Sequence, residues 1–197
     1  MNVTLIDSPY SNAANIARAL RHVGADLDVT RDADAIASAA KIVLPGVGSF
    51  GAAMQWLVET RINDAIRKSV ANGAWLLGIC VGHQLLFEGS EEMTTTCGLG
   101  LLRGEVRRFD GPLPVPQIGW NRVASRGELF DGIAPETAFY FVNSYAVRGA
   151  HAEVASAEYN GSFTAAAQQE RVFGVQFHPE KSSAAGLRVL RNFVACN

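Results

Sequence analysis

The sequence predicts an α/β protein: an open, mostly parallel sheet covered by helices, with antiparallel strands added in the second half. Three observations carry this prediction. The first half alternates short apolar runs with segments of helical period. Its apolar runs, such as 74–79, are continuous, as in strands buried on both faces of a parallel sheet. From Gly98 onward, short alternating segments are separated by Gly, Pro, Asn and Asp, which is typical of antiparallel strands.

The elements of the first half follow from these periods, and glycines at 24 and 73 stand where glycine commonly ends a helix. The predicted elements are a strand at Val3 and Leu5, a helix through Ile16, Leu20 and Val23, a strand at Leu27 and Val29, a helix over Asp32 to Ala40, a strand over Lys41 to Leu44, a helix over about Phe50 to Asn72, and a strand over Ala74 to Ile79.

The second half is predicted to consist of short strands and a last helix. Its antiparallel strands would be added to the sheet or lie beside it, and the return to an apolar run at 171 predicts one more strand before that helix. The predicted segments are Leu101 to Phe109, Gln117 to Val123, Ala138 to Val147, Glu153 to Ala157, Phe163 to Gln168, the strand Arg171 to Phe177, and the helix Ser182 to Val194.

Length and charge exclude several classes of protein. The 197 residues suit one compact domain, 1–197. With 17 Lys and Arg against 19 Asp and Glu, the net charge is −2 and there is no basic run, so a nucleic-acid partner is not expected. The longest uncharged stretch, 42–58, contains Pro45 and several glycines, which argues against a membrane span. The start MNVTLID has no secretory pattern, so a cytoplasmic enzyme is expected.

The segment 78–82, Gly-Ile-Cys-Val-Gly, predicts a nucleophile. It follows an apolar strand and precedes a helical pattern, as in the G-x-nucleophile-x-G turn. Small residues two places on either side allow a strained strand-to-helix turn that presents the side chain at the sheet edge. The positive end of the helix dipole favours the thiolate form of Cys80 there. The alternative is a buried structural cysteine between unrelated glycines.

A thiolate nucleophile needs a proton donor for its leaving group, and the chain has four histidines. His22 lies on the exposed side of the first helix, His151 in a polar loop, and His83 is carried away along the helix after the turn. His178 follows an apolar strand, and Glu180 can orient and charge-stabilise its imidazole. The alternative is a solvated His-Pro-Glu loop. A metal site is not predicted, because no other His or Cys stands at ligand spacing.

The segment LPGVGSF, Leu44 to Phe50, also follows a strand and precedes a helix. Its glycines allow backbone N–H groups to turn toward a neighbouring oxyanion, so Val47, together with Val81, could stabilise a tetrahedral intermediate of acyl transfer. A phosphate-binding loop or a simple tight turn is the alternative. The segment lacks the lysine of a P-loop, and its G-x-G is too short for a dinucleotide fingerprint.

Together, the motifs resemble those of the class I, triad-type glutamine amidotransferases, and most closely those of the glutaminase subunits of imidazole glycerol phosphate synthase. The resemblance spans nearly the whole chain. It implies that Cys80 attacks the carboxamide of L-glutamine, His178 protonates the departing ammonia, and Glu180 orients His178. The motifs, in order, are LPGVGSFGAAM, GICVGHQLLFEGSEE, GLGLLRGEVRRF, IGWN, FVNSY and GVQFHPEKS.

The resemblance also implies residues that bind glutamine and a partner subunit. It implies an oxyanion hole completed by the Val47 N–H after a peptide flip, no cofactor, and a heterodimer with a (β/α)8-barrel cyclase that receives the ammonia in histidine biosynthesis. For Lys181, the alternative is a solvated lysine after a loop. The implied glutamine contacts are Gly48, Gln84, Glu92 and the backbone at Ser144 and Tyr145; the implied partner contacts are Asn12, Trp120, Asn121 and Lys181.

Several positions depart from the family pattern without touching the three catalytic residues. They concern regulation and partner contacts more than the chemistry. The departures are the segment IDSPYSN, which keeps Asp7 and Asn12 but has Pro9 and Ser11 in place of two glycines; His83 where these subunits usually have Met; and Asn143 and Gln117, each where a His is usual.

Two alternative functions remain open from the sequence. A glutaminase of this type could feed ammonia to another synthase, such as one that aminates a sugar or chorismate, and the altered IDSPYSN segment and His83 are the reasons to consider it. A catalytically silent interaction subunit is the other alternative. The intact Cys80, His178 and Glu180 argue against that second alternative.

Overall fold

The computed structural model describes residues 2–92 and 96–197. In that part of the chain, no helix has the length and apolar character needed to cross a membrane. The strands are β1 (Asn2–Ile6), β2 (Asp26–Thr30), β3 (Lys41–Gly46), β4 (Trp75–Cys80), β5 (Gly89–Ser90), β6 (Thr96–Cys97), β7 (Glu105–Arg108), β8 (Gln117–Ser125), β9 (Thr137–Asn143), β10 (Tyr145–Val147), β11 (Glu153–Glu158), β12 (Ser162–Gln169) and β13 (Val172–Val175). The α-helices are α1 (Ala13–His22), α2 (Ala33–Ser38), α3 (Phe50–Glu59), α4 (Ile62–Ala71), α5 (Val81–Gln84) and α6 (Ser183–Ala195), with 3-10 helices at Glu128–Phe130 and Pro179–Lys181.

A nine-stranded sheet in the order β2-β1-β3-β4-β13-β12-β11-β8-β9 forms the centre of the molecule. Neighbours from β2 to β13 are parallel, and neighbours from β13 to β9 are antiparallel. Every residue of β3 is buried, as expected of a continuous apolar strand covered on both faces. The predicted α/β class, with antiparallel strands added in the second half, is confirmed.

The parallel strands bring three chain segments to one edge of the sheet. β3 and β4 are in register up to the pair Gly46 and Cys80, and β13 and β4 up to the pair Val175 and Ile79. The chain leaving each strand therefore emerges beside the other two. Side chains that follow the carboxyl ends of neighbouring parallel strands form the usual site of an open α/β sheet.

A second, four-stranded sheet in the order β10-β7-β5-β6 lies beside the first. The single strand predicted over Ala138 to Val147 is wrong, because the chain divides at Ser144 into β9 of the large sheet and β10 of the small one. The carbonyl of Ser144 accepts a hydrogen bond from the N–H of Phe109 at 2.9 Å, which joins the crossing point to the end of β7. Apolar alternation continues through the division, so the sequence shows one run.

The single helix predicted over about Phe50 to Asn72 is also wrong, because Thr60 and Arg61 separate α3 from α4. Their N–H groups bond to carbonyls near the end of α3, and Arg61 takes a left-handed conformation with φ 59°. Neither residue is Gly or Pro, so the sequence carries no stop signal there. The helical pattern predicted after Cys80 also forms a shorter helix than a continuous one, the single turn α5.

A buried lysine joins the last helix to the central sheet. Lys41 at the start of β3 is 5% exposed, and its Nζ donates to the carbonyl oxygens of Phe193, Val194 and Cys196 at 3.1, 2.7 and 2.8 Å. Carbonyls in the last turn of a helix have no partner within that helix, and a cation there also faces the negative end of the dipole. The ammonium group therefore caps α6.

Replacing this cap should destabilise the protein. We expect Lys41→Met to lower the free energy of unfolding by roughly 2–3 kcal/mol, because three buried carbonyls lose a charged donor. Urea unfolding followed by circular dichroism measures the change. The control is Lys68→Met on the exposed face of α4, which should leave stability within about 0.5 kcal/mol. Equal stability of the two variants would contradict the capping role.

Candidate active site

Cys80 occupies a strained turn at the end of β4. Its backbone has φ 55° and ψ −111°, which is rare for a residue with a side chain. A Cβ on Gly82 would lie 1.9 Å from the carbonyl oxygen of Leu44, and one on Gly78 or Gly46 would lie 2.5 Å from backbone atoms of Gly82. The turn therefore requires glycine at all three positions, because the backbones of β3, β4 and the turn are in contact.

His178 and Glu180 form a buried pair beside this turn. The N–H of His178 bonds to the carbonyl of Tyr140 at 2.9 Å, which fixes the chain after β13. Oε1 of Glu180 lies 3.0 Å from Nδ1 of His178, and the two side chains are 0% and 4% exposed. Among the described residues, Oε2 of Glu180 has no hydrogen-bond partner. The carboxylate is thus held against one ring nitrogen and leaves the other for the thiol.

The electrostatic surroundings of His178 favour its protonated form. Burial acts to lower the pKa of His178, but hydrogen bonds to Cys80 and Glu180 and the negative charges of both groups outweigh it and raise the pKa to about 10. The imidazole therefore carries a proton at neutral pH. A protonated histidine in contact with the sulfur can stabilise a thiolate and later donate to a leaving group.

A cavity of about 340 Å³ opens over the thiol. It collects most of the residues proposed for the chemistry and for glutamine, but not Glu180, which lies behind His178, nor Asn12, Trp120 and Asn121. Pro116, Val142 and Asn143 line it as well and were not predicted as contacts. The predicted residues that line the cavity are Val47, Gly48, Cys80, Val81, Gln84, Glu92, Ser144, Tyr145, His178 and Lys181.

The two predicted oxyanion donors, the backbone N–H groups of Val81 and Val47, differ in their surroundings. Val81 directly follows the nucleophile in the turn and lines the cavity. The N–H of Val47 donates to the carbonyl of Tyr10 at 2.7 Å, within the IDSPYSN segment, so this donor is already occupied. Gly48 has φ 87°, a conformation open to glycine. In this state only the Val81 side of the predicted oxyanion hole is available.

Two of the predicted glutamine contacts are held by backbone groups. Oε2 of Glu92 accepts from the N–H of Phe50 at 2.7 Å, at the first residue of α3. Nε2 of Gln84 donates to the carbonyl of Tyr145 at 2.9 Å. Both side chains therefore have fixed positions on the cavity wall before any ligand binds.

The predicted partner contacts fall into separate groups. Nδ2 of Asn12 donates to Oε1 of Glu180 at 3.4 Å, next to the catalytic pair. Trp120 is 55% exposed and meets the ring of Tyr140 edge-on at 6.0 Å, and Nζ of Lys181 lies 5.9 Å from the centre of the same ring. Asn121, on the opposite face of β8 from Trp120, donates to the carbonyl of Glu158 at 2.9 Å. Trp120 and Lys181 therefore share one surface, and the side chain of Asn121 lies outside it.

Two departures from the family pattern are neighbours in space. Gln117 of β8 lies directly opposite Asn143 of β9, and both side chains are buried. Nδ2 of Asn143 donates to the carbonyl of Tyr145 at 3.0 Å, while Oδ1 of Asn143 and Oε1 of Gln117 have no partner among the described residues. The sequence gives no register between β8 and β9, so their adjacency could not be predicted.

Sequence reasoning also missed Gln176. Its side chain is fully buried, with Nε2 3.9 Å from Sγ of Cys80 and Oε1 accepting from Nε2 of Gln84 at 3.0 Å. The signal was present, since residues two apart on an extended chain share a face, and Gln176 precedes His178 by two.

His83 lies in an apolar environment away from the catalytic pair. It is 0% exposed, its ring meets that of Phe87 edge-on at 5.0 Å, and a Cβ on Gly174 would lie 2.2 Å from Nδ1. Neither ring nitrogen has a hydrogen-bond partner in the described part of the chain. Burial lowers the pKa of His83 to about 3, so the ring is neutral in the folded protein.

A neutral buried histidine makes the fold sensitive to acid. The unfolded chain binds this proton near pH 6.5 and the folded chain only near pH 3, so stability falls as the pH falls between these values. The pKa of His178 is raised instead, so its contribution to stability is present at low pH and is lost as the pH rises toward 10; this contribution is the same in wild type and in His83→Met and does not affect their difference. From pH 7 to pH 5, wild type should lose about 2 kcal/mol more unfolding free energy than His83→Met.

Chemical unfolding at several pH values measures this difference. His151→Met, at an exposed loop position, provides the control and should follow wild type. Parallel pH profiles for wild type and His83→Met would contradict a buried neutral ring.

The described residues contain no group of three or more His, Cys, Asp or Glu side chains that could hold a metal ion. The groups at the cavity suit acyl transfer: a thiol, a protonated imidazole paired with a carboxylate, and the backbone of Val81 after the nucleophile.

Comparison with known proteins identifies the family. The family model "Glutamine amidotransferase class-I" matches residues 4–196. The chain is 44% identical over 195 residues to "Imidazole glycerol phosphate synthase subunit HisH" of Moorella thermoacetica, covering 97% of this chain and 93% of that protein. It is 46% identical over 199 residues to the protein of the same name from Thermococcus kodakarensis, covering 97% and 98%.

A solved structure described as "Crystal structure of glutamine amidotransferase" matches with a TM-score of 0.77 at 20% identity, covering 97% of this chain and 96% of that one, and this likeness supports the fold alone. The relatives favour imidazole glycerol phosphate synthase over the alternative synthases, those that aminate a sugar or chorismate. The chain belongs to the class-I glutamine amidotransferases and, within them, to the HisH subunits of imidazole glycerol phosphate synthase, so it is a glutaminase.

Proposed function

We propose that Cys80, His178 and Glu180 hydrolyse L-glutamine by covalent catalysis. The thiolate of Cys80 attacks the carboxamide carbon, and the carbonyl electrons move to the oxygen. As the tetrahedral intermediate collapses, the C–N bond breaks, and His178 gives its proton to the departing nitrogen, which leaves as ammonia. Water then attacks the thioester, His178 takes a proton from that water, and glutamate and the thiolate are released.

One observation carries this proposal: a strained cysteine turn meets His178, which is paired with the buried Glu180, at a cavity of about 340 Å³. The strained backbone places the thiol at the sheet edge, where it lines the cavity, while Glu180 keeps the proton of His178 on the ring. Each group alone has a structural explanation. Their meeting at one cavity, after the neighbouring strands β4 and β13, matches the needs of a cysteine nucleophile.

The oxyanion hole would form from Val81 and Val47. The N–H of Val47 is bonded to Tyr10, so the peptide before Val47 must flip before this N–H can reach an oxyanion. Loss of one oxyanion donor typically costs 10²–10³ in rate. We therefore propose that the isolated chain is a slow glutaminase and that binding of its partner promotes the flip.

The remaining cavity residues would hold the amino-acid end of glutamine. The carboxylate of Glu92 can pair with the α-ammonium group, and Gly48, Gln84 and the backbone at Ser144 and Tyr145 would complete the contacts. All of these groups come from the chain itself, and we propose that no cofactor or metal takes part.

The ammonia acceptor would be a separate cyclase subunit. Residues 1–197 would be used as one glutaminase domain, and the partner would be a (β/α)8 barrel that forms imidazole glycerol phosphate and aminoimidazole carboxamide ribotide. The resemblance of the motifs supports this barrel. We propose a cytoplasmic heterodimer without a nucleic-acid or membrane partner, which agrees with the net charge of −2.

The docking surface would be centred on Trp120. This ring is 55% exposed, Ile118 on the same face of β8 is 65% exposed, and Lys181 lies beside them at the mouth of the cavity. Exposed aromatic and aliphatic side chains next to a charge are typical of an interface hot spot. Asn12 would lie nearer the triad, and Asn121 would support β8 through its bond to Glu158.

Removal of the thiol should separate the two half-reactions. In the reconstituted complex with cyclase and ribonucleotide, we expect Cys80→Ala to lower glutamine-dependent synthesis by about 10⁴-fold or more. Synthesis from added ammonium salt should stay within twofold of wild type, because the acceptor site belongs to the partner. Cys97→Ala, which removes an exposed free thiol, is the control and should retain both activities. Loss of both activities in Cys80→Ala would assign the residue a structural role instead.

Truncation of the exposed indole should weaken assembly. We expect Trp120→Ala to raise the Kd for the cyclase by about 30-fold, the effect of losing roughly 2 kcal/mol at a hot spot. Val29→Ala provides the control, because β2 lies at the opposite edge of the sheet and Val29 is 40% exposed. Isothermal titration calorimetry measures both values. Equal weakening by the two variants would exclude this surface as the docking site.

A further inference from the structure

Gln176 occupies the first position after β13, beside the nucleophile. β13 and β4 are in parallel register at Val175 and Ile79, so the next residues on the two strands, Gln176 and Cys80, are neighbours. The N–H of Gln176 bonds to the carbonyl of Ala165 at 2.8 Å, and its side chain is 0% exposed. The amide is thus fixed at its backbone end and enclosed at its side-chain end.

The side chain of Gln176 bridges the thiol and Gln84. Its Nε2 lies 3.9 Å from Sγ of Cys80, within hydrogen-bonding range for sulfur, and its Oε1 accepts from Nε2 of Gln84 at 3.0 Å. Nε2 of Gln84 also donates to the carbonyl of Tyr145 at 2.9 Å. A primary amide has two N–H donors, so both donors of Gln84 are occupied by protein acceptors.

This arrangement decides what Gln84 presents to the cavity. With both N–H groups occupied, its only remaining polar atom is the carbonyl oxygen, which can only accept. Gln84 would therefore bind a donor group of glutamine, and it would not bind the carboxylate. If the amide of Gln176 were reversed, its NH₂ would face the NH₂ of Gln84, and its carbonyl oxygen would face the sulfur. The thiolate next to Gln176 favours the donor orientation, and this orientation in turn fixes that of Gln84.

We propose that Gln176 is a positioning residue that couples the charge of the Cys80 thiolate to the orientation of Gln84. This inference rests on the proposed roles of Cys80 and Gln84. Through one amide, the nucleophile receives a donor N–H while the substrate contact is locked as an acceptor. The two effects are chemically separable, because they use opposite ends of the Gln176 amide.

Two substitutions separate the effects in the complex with the cyclase and its ribonucleotide. Gln176→Leu removes both the N–H donor near Cys80 and the carbonyl acceptor for Gln84. The KM for glutamine should therefore rise about tenfold, which corresponds to the loss of one buried hydrogen bond. The pH midpoint for alkylation of Cys80 by iodoacetamide should also rise, by about half a pH unit or more. Gln176→Glu keeps an acceptor for Gln84 but puts a negative charge near the sulfur. It should restore KM to within threefold of wild type while raising the alkylation midpoint further, by about one pH unit.

The same two changes at Gln169, an exposed amide on β12, provide matched controls and should alter neither value. A third measurement tests the path through Gln84: in a Gln84→Leu background, Gln176→Leu should add less than a twofold further rise in KM. Circular dichroism and thermal unfolding establish that each variant is folded, and the near-isosteric Gln176→Glu keeps the test available should Gln176→Leu fail to fold.

The proposal is overturned if Gln176→Glu raises KM as much as Gln176→Leu, or if its alkylation midpoint equals that of wild type. A purely structural role would lower stability and kcat without this division between KM and pH midpoint. Failure of the proposed catalytic roles has a different signature. In that case wild type itself would resist inactivation by a chloroketone analogue of glutamine, whereas failure of the Gln176 proposal leaves wild type active and labelled at Cys80.

Discussion

The contact between the backbone of the Cys80 turn and the end of β3 is the constraint on which the site depends. A Cβ at Gly46, Gly78 or Gly82 would overlap backbone atoms, so the two chain segments approach as closely as their main chains allow. This approach holds Cys80 in a conformation that a side chain normally disfavours. The strain is compensated by the central strands of the sheet, which are buried on both faces and cannot relax independently at one turn.

Given the position of the Cys80 turn, strand order alone places the other groups of the site around it. β3 and β13 flank β4, so the LPGVGSF loop and the segment around His178 meet at the nucleophile although they are far apart in the chain. Residues on one side of the extended segment after β13, Gln176 and His178, face the site. Phe177 between them points the other way and stacks on Phe139 with ring centres 4.2 Å apart. Alternate residues of this segment therefore face the site, and the residue between them packs in the hydrophobic core.

The sequence predicted the parts of the structure that are governed by local rules. The turn at Cys80 and the parallel strands around it follow from glycine spacing and continuous apolar runs, and the proposed His178 and Glu180 lie where a strand ends. The parts that were missed depend on pairing between distant segments. Nothing in the run 138–147 marks the change of sheet at Ser144, and nothing at Thr60 or Arg61 marks the end of α3. The contacts of Gln176 with Gln84 and of Gln117 with Asn143 require a register that one sequence does not contain.

The change of sheet at Ser144 has a mechanical consequence. Cys80 and the segment that carries His178 are anchored to the large sheet, whereas Tyr145 begins β10 of the small sheet. The site is therefore a seam between two sheets. The reacting groups are attached to the large sheet, and part of the cavity wall that would bind the amino-acid end of glutamine is attached to the small sheet. The carbonyl of Tyr145 accepts hydrogen bonds from the side chains of Gln84 and Asn143, which lie on elements that continue the large sheet. These two hydrogen bonds link the two sheets. A small rotation of one sheet against the other would change how far glutamine sits from the sulfur while leaving every strand intact.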